Sequence, residues 1–410
     1  MWGGEPMLRE LLAASHLMSM EQLPGAVSEH AAKVGLHDVE IYVVDLQQTV
    51  LRRLPGTPSA VGPDAGTETD LQIDRTVAGR AFQTVQTVAG QAFPDGTARY
   101  WAPILDGTER IGVLRATLPQ DDERARQDVE YLAGLVALMI VSKGPYSDTY
   151  ARLVRTREMT VSAEMQWRMM APLSFANDQM VIGAALEPAY KLGGDAFDYA
   201  LAGDIVHLSV FDAMGHDTAS GLTSNLAVAA GRNLRLQGVP LRDVGRAIEE
   251  ILLEQDSSGR FVTAALADLD LRTGMLSWIL HGHPAPVIIR GGRWVTSLRC
   301  EPGHPLGTDL GVSAEVCEEQ LEPGDRVLLY TDGIVEARDP NKDEFGLARF
   351  IDFIIRHNAG GLGVPETLRR LTHSILRHHA GRLDDDATVL VLEWHGTSGR
   401  EDAGAPVVAT

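Results

Sequence analysis

Four short segments in the second half of the chain hold the residue types that could carry chemistry. They are Gly193-Gly194-Asp195-Ala196-Phe197-Asp198, Phe211-Asp212-Ala213-Met214-Gly215-His216, Tyr330-Thr331-Asp332-Gly333 and Asp384-Asp385-Asp386-Ala387-Thr388. Three of the four contain glycines, which permit tight turns and close approach of the backbone to a ligand. Carboxylates that converge repel one another unless cations hold them, and Mg²⁺ and Mn²⁺ take oxygen ligands. The set therefore predicts a site for divalent cations.

Each segment alone has a plainer interpretation. An isolated Asp-Gly is usually a turn, and Asp384-Asp385-Asp386 by itself is typical of a solvated loop. Asp212 and Asp332, however, directly follow apolar stretches, so their carboxylates are expected at the ends of strands. The ordered occurrence of all four segments in one region favours the metal site.

The region that must position these residues, from Val181 onward, consists of short β-branched stretches and two clusters of helical patterns. The predicted strands are Val181–Leu186, Phe197–Ala202, Ile205–Asp212, Val262–Asp270, Met275–His281, Pro286–Arg290, Arg326–Thr331 and Ala387–Glu393. The predicted helices are Ala219–Gln237, Leu241–Gln255, Leu347–His357 and Pro365–His379. A meander of strands with two helical clusters predicts an α-β-β-α sandwich, with helices on the outer faces of two sheets.

These residues resemble the SpoIIE/RsbU-type branch of the metal-dependent PPM (PP2C-like) serine/threonine phosphatases, over about residues 173–395. Further segments fall in the order expected for that family, namely Phe261-Val262-Thr263, Asp270-Leu271-Arg272-Thr273-Gly274, Gly282-His283-Pro284-Ala285-Pro286 and Pro305-Leu306-Gly307. The resemblance implies hydrolysis of phosphoserine and phosphothreonine by a water that two Mn²⁺ or Mg²⁺ ions activate. It also implies a phosphoprotein substrate, an anti-sigma-factor antagonist of the STAS class.

The resemblance assigns roles to individual residues. Asp212 would bridge both ions, and the backbone carbonyl of Ala213 would complete one of them. Asp195 would serve the centre directly or through water. Asp332 and Asp385 would bind the other ion, and Asp212 and Asp332 are the residues to which we assign catalysis.

Neighbouring residues are weighed against the same pattern. Asp385 is chosen over Asp384 and Asp386 because it lies three residues before Thr388, as the motif requires. Asp198 is expected to have a supporting or structural role.

Two departures from the family pattern leave questions open. Asp217 stands where the family commonly has a second glycine, and its charge is expected to alter metal affinity or substrate choice. His216 does not match the catalytic histidine of the eukaryotic members, so the general acid stays unassigned. His281, His283 and His304 are expected to be structural.

No arginine lies near the first aspartate turn to hold phosphate. Lys191 is the nearest basic residue and is expected to be a surface charge.

The first part of the chain, residues 1–143, is predicted to be a mixed α/β domain and more weakly resembles a GAF sensor domain. The similar stretches are Val39–Leu46, Thr76–Phe82, Tyr100–Ile104 and Ile111–Leu114. These are mostly packing signatures, so a ligand-binding sensor and a ligandless dimerisation module both stay open.

Residues 144–172 are predicted to form a helical linker, helical from about Ser147 to Met170. Such a helix could pair with its counterpart in a homodimer or pack on its own domain, and the resemblance implies that it acts as a regulatory switch. Residues 396–410 are small and polar, which predicts a disordered tail.

Composition excludes several classes of function. The chain has 410 residues, with 36 Lys and Arg against 56 Asp and Glu, a formal net charge of −20. No basic stripe offsets this excess, so nucleic acid is not an expected partner. The apolar stretch Tyr131–Ser142 is well short of the roughly 20 residues that span a membrane. With no signal peptide recognised, Cys300 and Cys317 are expected to be reduced thiols in a cytoplasmic protein.

Two rival functions remain at this point. A degenerate phosphatase domain could serve as a scaffold, although the presence of all four aspartates argues against it. The second rival is a phosphatase or nuclease that acts on small phosphorylated metabolites, since the acidic surface disfavours nucleic acid but not a nucleotide.

Overall fold

The computed structural model describes residues 4–56, 70–119, 123–191, 193–215, 217–255, 259–338, 343–379, 383 and 385–396, without the side chain of residue 294. The described residues divide into two compact units, the first ending at Glu158 and the second beginning at Met159. Within the described ranges, no helix combines the length and apolar character needed to cross a membrane. The predicted tail lies outside these ranges, except for its first residue.

The first unit is built on one antiparallel sheet in the order β3-β2-β1-β6-β5-β4. Its strands are β1 His37–Val44, β2 Val50–Arg53, β3 Asp70–Gln72, β4 Val88–Ala92, β5 Ala98–Asp106 and β6 Glu109–Leu118. Its helices are α1 Glu5–Ser15, α2 Leu23–Ala32, α3 Val77–Thr84, α4 Glu123–Lys143 and α5 Asp148–Val154, with short 3-10 turns at Met20–Gln22, Ile73–Arg75 and Gly144–Tyr146.

Both faces of this sheet are covered, as the alternation of its strands requires. Ile41 and Val43 of β1 enter the core that α1, α2 and α4 close, whereas Tyr42 enters the smaller core under α3. Strands β5 and β6 are antiparallel neighbours, and their register pairs Ala98 with Leu118 at one end and Asp106 with Glu109 at the other.

The prediction of one helix from Ser147 to Met170 is wrong. Helix α5 ends at Val154, Arg155 has extended backbone angles, and a separate helix α6 begins at Val161 and ends at Met169. The break has a local cause, because the Thr160 hydroxyl accepts a hydrogen bond from the Ala163 N–H and so starts a new helix. The division of the chain into two units falls within this break.

The second unit contains the remaining elements. Its strands are β7 Ser174–Ala176, β8 Met180–Glu187, β9 Asp195–Ala202, β10 Ile205–Ala213, β11 Val262–Asp270, β12 Met275–His281, β13 Val287–Arg290, β14 Trp294–Ser297, β15 Cys317–Gln320, β16 Arg326–Tyr330 and β17 Ala387–Trp394. Its helices after α6 are α7 Thr218–Leu236, α8 Leu241–Gln255, α9 Asp332–Val335, α10 Leu347–Ala359 and α11 Val364–His378.

These strands form two sheets that pack face to face. One has the order β15-β12-β11-β10-β9 and the other β14-β13-β16-β17-β8-β7. A core between the sheets joins residues such as Val210 and Leu390, while α7 and α8 cover the outside of the first sheet and α10 and α11 the outside of the second. The predicted α-β-β-α layering is therefore observed, and each predicted strand has its counterpart. The short strands β7, β14 and β15 were not foreseen, because three or four residues carry little periodic signal.

The expectation of two reduced thiols is wrong. Cys300 and Cys317 are joined by a disulfide, with their Cα atoms 6.0 Å apart. Strand β15 pairs Cys317 with Trp278 of β12. Cys300, its disulfide partner, lies in the segment that follows β14. Composition alone could not reveal that pairing, and a cytoplasmic location stays a prediction.

Candidate metal centre

The first two aspartates face each other across neighbouring strands. Asp195 begins β9 and Asp212 lies next to the end of β10, and the antiparallel register pairs them directly. In the other sheet, β16 ends just before Thr331 and Asp332, while β17 begins just after Asp385 and Asp386. The expectation that Asp212 and Asp332 lie at strand ends is confirmed.

Hydrogen bonds join these two pairs of strand ends across the sandwich. The Thr331 hydroxyl donates to Oδ2 of Asp195 at 2.7 Å, and the Thr388 N–H donates to the Thr331 hydroxyl at 2.9 Å. Asp195 is buried. The carboxylate of Asp195, at the start of β9 in the first sheet, is thus oriented by Thr331, which follows β16 of the second sheet.

Asp386 has a role that the sequence analysis missed. Its Oδ2 accepts hydrogen bonds from the N–H groups of Gly193 and Gly194, both at 2.7 Å, and of Asp195 at 3.3 Å. Its side chain is buried, whereas Asp385 beside it is exposed. Asp386 therefore shapes the first aspartate turn, and Asp384 lies outside the described residues.

Two glycines make the close approach of these turns feasible. A Cβ atom on Gly194 would overlap the carbonyl oxygen of Ala213, and one on Gly333 would overlap that of Asp386. The Ala213 N–H also donates to the Gly194 carbonyl at 3.0 Å. Glycine is required here because backbone packs directly on backbone.

The carboxylates act on one another electrostatically. Burial, followed by the charges of Asp332, Asp385 and Asp386, raises the pKa of Asp212 to about 7. Burial and then the charges of Asp212 and Asp386 raise the pKa of Asp195 well above its usual range. The pKa of Asp332 is raised as well, first by burial and then by Glu336 and Asp385. All four predicted aspartates therefore lie in one electrostatic cluster.

This cluster has the chemistry of a divalent-metal centre. Burial and neighbouring carboxylates are the largest causes that raise the pKa values of Asp195, Asp212 and Asp332, and a divalent cation would supply the charge that lets these carboxylates ionise together. The donors are all oxygens, which Mg²⁺ and Mn²⁺ prefer. Across the described residues, no three aspartates place one oxygen each within 4.8 Å of one another.

A second group of metal-ligating types lies elsewhere in the same unit. Cys300, Glu315 and Cys317 bring ligand atoms within 4.8 Å of one another. Because the two sulfur atoms are bonded to each other, they are not available as thiolate ligands.

Gln166 of α6 is another residue that the sequence analysis did not single out. Its fully buried side chain donates from Nε2 to the carbonyls of Gly193 at 3.0 Å and Asp195 at 2.8 Å, and to the Ser224 hydroxyl at 3.3 Å. Helix α6 is thereby tied to the first aspartate turn. A single glutamine in a Met-containing helix offers no sequence signal for such a contact.

The other predicted residues have supporting or peripheral positions. The buried carboxylate of Asp198 pairs with Arg232 at 2.7 Å and Arg235 at 2.9 Å, in agreement with its expected structural role. His283 is hydrogen-bonded to the Thr263 hydroxyl at 2.7 Å, and burial lowers its pKa to about 4. Lys191 is exposed, and His216 lies outside the described residues.

Comparison with known proteins identifies relatives of the second unit. Residues 202–395 match the family model described as Stage II sporulation protein E (SpoIIE). Phosphoserine phosphatase RsbU of Bacillus subtilis is 21% identical over 238 residues, which cover 57% of this chain and 69% of that protein. Stage II sporulation protein E of the same organism is 23% identical over 187 residues, 45% of this chain but only 22% of its own length.

Solved structures also resemble the chain. The RsbU and RsbW domains of a Mycobacterium tuberculosis protein match with a TM-score of 0.47 and 24% identity, covering 53% of this chain and 62% of that one.

Proposed function

The second unit of this chain carries a SpoIIE-family, PP2C-type phosphatase domain, and from that premise we propose that the protein hydrolyses phosphoserine and phosphothreonine in other proteins with two Mn²⁺ or Mg²⁺ ions. The observation that carries the proposal is the cluster of Asp195, Asp212, Asp332 and Asp385, in which burial and neighbouring carboxylates raise the pKa values of the first three. A degenerate scaffold would have no reason to keep such a costly arrangement.

Five groups of the chain would hold the cations at this site. Asp212, Asp332 and Asp385, with Asp195 and the carbonyl of Ala213, would hold the cations. When bound, the cations would neutralise the phosphoryl oxygens and lower the pKa of an attacking water.

The residues behind the ligands would keep that site rigid. The Thr331 hydroxyl and the N–H groups that donate to Asp386 fix Asp195 and its turn before any substrate arrives. Such preorganisation matters because phosphoryl transfer depends chiefly on positioning and on electrostatic stabilisation.

The test is metal-dependent release of phosphate from an aryl phosphate and from a phosphoprotein. We expect activity with Mn²⁺, none with chelator, and a loss of at least about 1,000-fold in Asp212→Ala, because all the chemistry depends on this centre. Asp243→Ala on the surface of α8 is the matched control and should behave as wild type. Metal-independent activity, or none on any substrate, would remove the enzyme proposal.

The substrate class follows from the relatives rather than from the geometry. RsbU is named as a phosphoserine phosphatase, which supports a phosphoserine substrate, and we propose a phosphoprotein of the STAS anti-sigma-factor antagonist class from the family resemblance. A comparison of kcat/KM on such a phosphoprotein and on small phosphorylated metabolites tests this choice. A higher value on the metabolites would favour the rival function.

We further propose that the first unit is a GAF-like sensor that regulates the centre through the connector. The sheet of that unit carries helices on both faces, and Gln166 of α6 contacts the aspartate turn directly. In the full chain, Gln166→Ala should weaken activity about 10-fold through looser metal binding. Arg168→Ala on the exposed side of α6 is the control, and equal activity of both variants would contradict this route.

A homodimer also stays a proposal. Helix α4 exposes Tyr131, Leu138 and Val141, whose exposed fractions are 49%, 63% and 44%. Light scattering of the wild-type chain and of Leu138→Asp tests whether this face associates.

A further inference from the structure

The turn that follows Asp212 carries an ion pair between residues far apart in the chain. Nη2 of Arg260 lies 2.8 Å from Oδ2 of Asp217, and Nη1 of the same guanidinium donates to the Met214 carbonyl at 3.0 Å. One side chain therefore bridges both ends of the turn. Arg260 is only 21% exposed although Asp217 is 57% exposed, so the guanidinium is the better sheltered partner.

The bridged turn is the one that contains the carbonyl expected to bind a cation. Ala213 pairs with Val262 in the sheet, and the Met214 N–H donates to the Phe261 carbonyl at 3.0 Å. After these bonds the chain turns at Gly215, whose φ of +93° is a conformation that costs little only for glycine. Arg260 lies against this glycine, because a Cβ atom there would approach Nη1 to 3.3 Å.

The far end of the turn is fixed as well. Oδ1 of Asp217 accepts a hydrogen bond from the Ser220 N–H at 2.9 Å and so caps helix α7. Its second oxygen is left for Arg260. Asp217 thus connects the start of α7 to Arg260, which lies two residues before β11.

This geometry changes the expected effect of Asp217. Its charge does not simply add to the aspartate cluster, because a guanidinium faces it. The hydrogen bonds to Ser220 and Arg260 also lower the pKa of Asp217, which keeps it ionised as the partner of Arg260.

We propose that Asp217 and Arg260 are a pair of positioning residues that hold the Asp212–Ala213 turn in the form that receives the metal ions. The inference rests on the proposed metal-dependent function and adds to it two residues outside the proposed set of metal ligands. A glycine at position 217 would lack these side-chain contacts, so the Asp217–Arg260 pair restrains a turn that a glycine would leave free.

Two physical effects of removing Arg260 have opposite signs, and this makes the proposal testable. If the arginine acted only through its charge, its loss would leave Asp217 unbalanced and would tighten the binding of cations. If it braces the turn, its loss would weaken cation binding despite the extra negative charge.

The experiment is calorimetric titration of the metal-free full chain with Mn²⁺ alone. We expect Arg260→Ala to weaken Mn²⁺ binding about 10-fold, the size typical for residues that orient metal ligands. Asp217→Gly should weaken it similarly, and the double variant should be no worse than either single one, because both remove the same brace. Arg260→Lys should restore part of the affinity, and Asp217→Asn, which keeps the cap, should stay closer to wild type than Asp217→Gly.

Arg272→Ala is the matched control, since Arg272 pairs with Asp270 at the opposite end of β11. Thermal unfolding checks that each variant is folded. At saturating Mn²⁺ the kcat of Arg260→Ala should return to within about threefold of wild type, with an unchanged KM for phosphoprotein, because the loss acts through the metal.

Unchanged or tighter Mn²⁺ binding in Arg260→Ala overturns the brace. A raised KM with normal Mn²⁺ affinity also overturns it and makes Arg260 a contact to substrate. If the wild type binds no Mn²⁺, or Asp212→Ala binds it as well as wild type, the proposed metal centre itself fails. That result is distinct from failure of the brace alone.

Discussion

Asp195 and Asp198 lie three residues apart on β9 and are buried to almost the same extent, 2% and 3% exposed. Asp198 has two arginines as partners, whereas Asp195 has the carboxylates of Asp212 and Asp386 as neighbours. Burial of a carboxylate is costly unless a counter-charge accompanies it. At Asp198 the chain supplies that counter-charge itself.

The contrast separates a structural acid from a functional one. A side chain that finds its partners inside the fold holds helix α7 to the sheet. A buried carboxylate whose charged neighbours are other carboxylates, as at Asp195, is the one that we propose to bind a cation. The two positions therefore predict opposite results for the same chemical change.

The largest effect is expected at Asp195. Asp195→Asn should lower metal-dependent phosphatase activity on the order of 1,000-fold, because it removes a charge that the cations require. The metal-free protein should be at least as stable as wild type, since a repulsion is relieved. Activity assays with urea unfolding check both, and a fall in stability with normal activity would reverse the assignment.

Asp198→Asn should do the opposite. Loss of this charge leaves Arg232 and Arg235 without their buried partner, and we expect a loss of about 3 kcal/mol in the free energy of unfolding. The Mn²⁺ affinity of the folded protein should stay within about twofold of wild type. Urea unfolding and calorimetry give the two numbers, and weaker Mn²⁺ binding would make Asp198 part of the centre.

A smaller effect is expected at Asp386, which has carboxylate neighbours like Asp195 and hydrogen-bond partners within the fold like Asp198. It lies in the charged cluster, yet its Oδ2 accepts hydrogen bonds from the backbone N–H groups of Gly193, Gly194 and Asp195. Asp386→Ala should reduce activity about 10-fold by loosening the Asp195 turn. Asp386→Asn retains an acceptor oxygen and should recover part of the loss; if it is as impaired as alanine, the charge rather than the hydrogen bonds matters.

The gentlest effect is a slope in stability with pH. The pKa of Asp212 rises from its usual 3.8 to about 7, so the folded metal-free chain holds a proton there that the unfolded chain releases. The stability this proton confers is complete below about pH 4 and is lost as pH rises to about 7, by at most about 1.4 kcal/mol per pH unit.

Urea unfolding at several pH values measures that slope. Asp212→Asn should flatten it, and saturating Mn²⁺ should remove it by favouring the ionised form. An unchanged slope in Asp212→Asn would contradict the origin of the effect in this carboxyl group.

Much of the second unit was predictable because its signals are local. Alternating apolar residues define strands such as β10, and glycines beside aspartates mark turns at known spacing. The order of these segments along the chain was sufficient to identify Asp195, Asp212, Asp332 and Asp385 as a set. In the structure all four belong to one electrostatic cluster, and their roles as metal ligands stay a prediction.

Other features depend on partners that are remote in sequence. Neither the Cys300–Cys317 disulfide nor the Gln166 contacts with residues 193 and 195 leave a periodic trace, because they arise from strand register and helix packing. The break between α5 and α6 was missed for a related reason, since apolar spacing continued through a segment that a helix cap interrupts.

The sequence by itself therefore determined which residues could bind cations, and the layered fold that carries them. Only the tertiary structure decided which acids are neutralised from within, because a carboxylate's state depends on the charges that packing brings beside it. Asp198 pairs with Arg232 and Arg235, and Asp217 pairs with Arg260. Asp195 and Asp212 lie opposite each other on neighbouring strands. The spacing of residues in the sequence describes only neighbours within a few positions. Arg232, however, lies 34 positions from Asp198, and Arg260 lies 43 positions from Asp217.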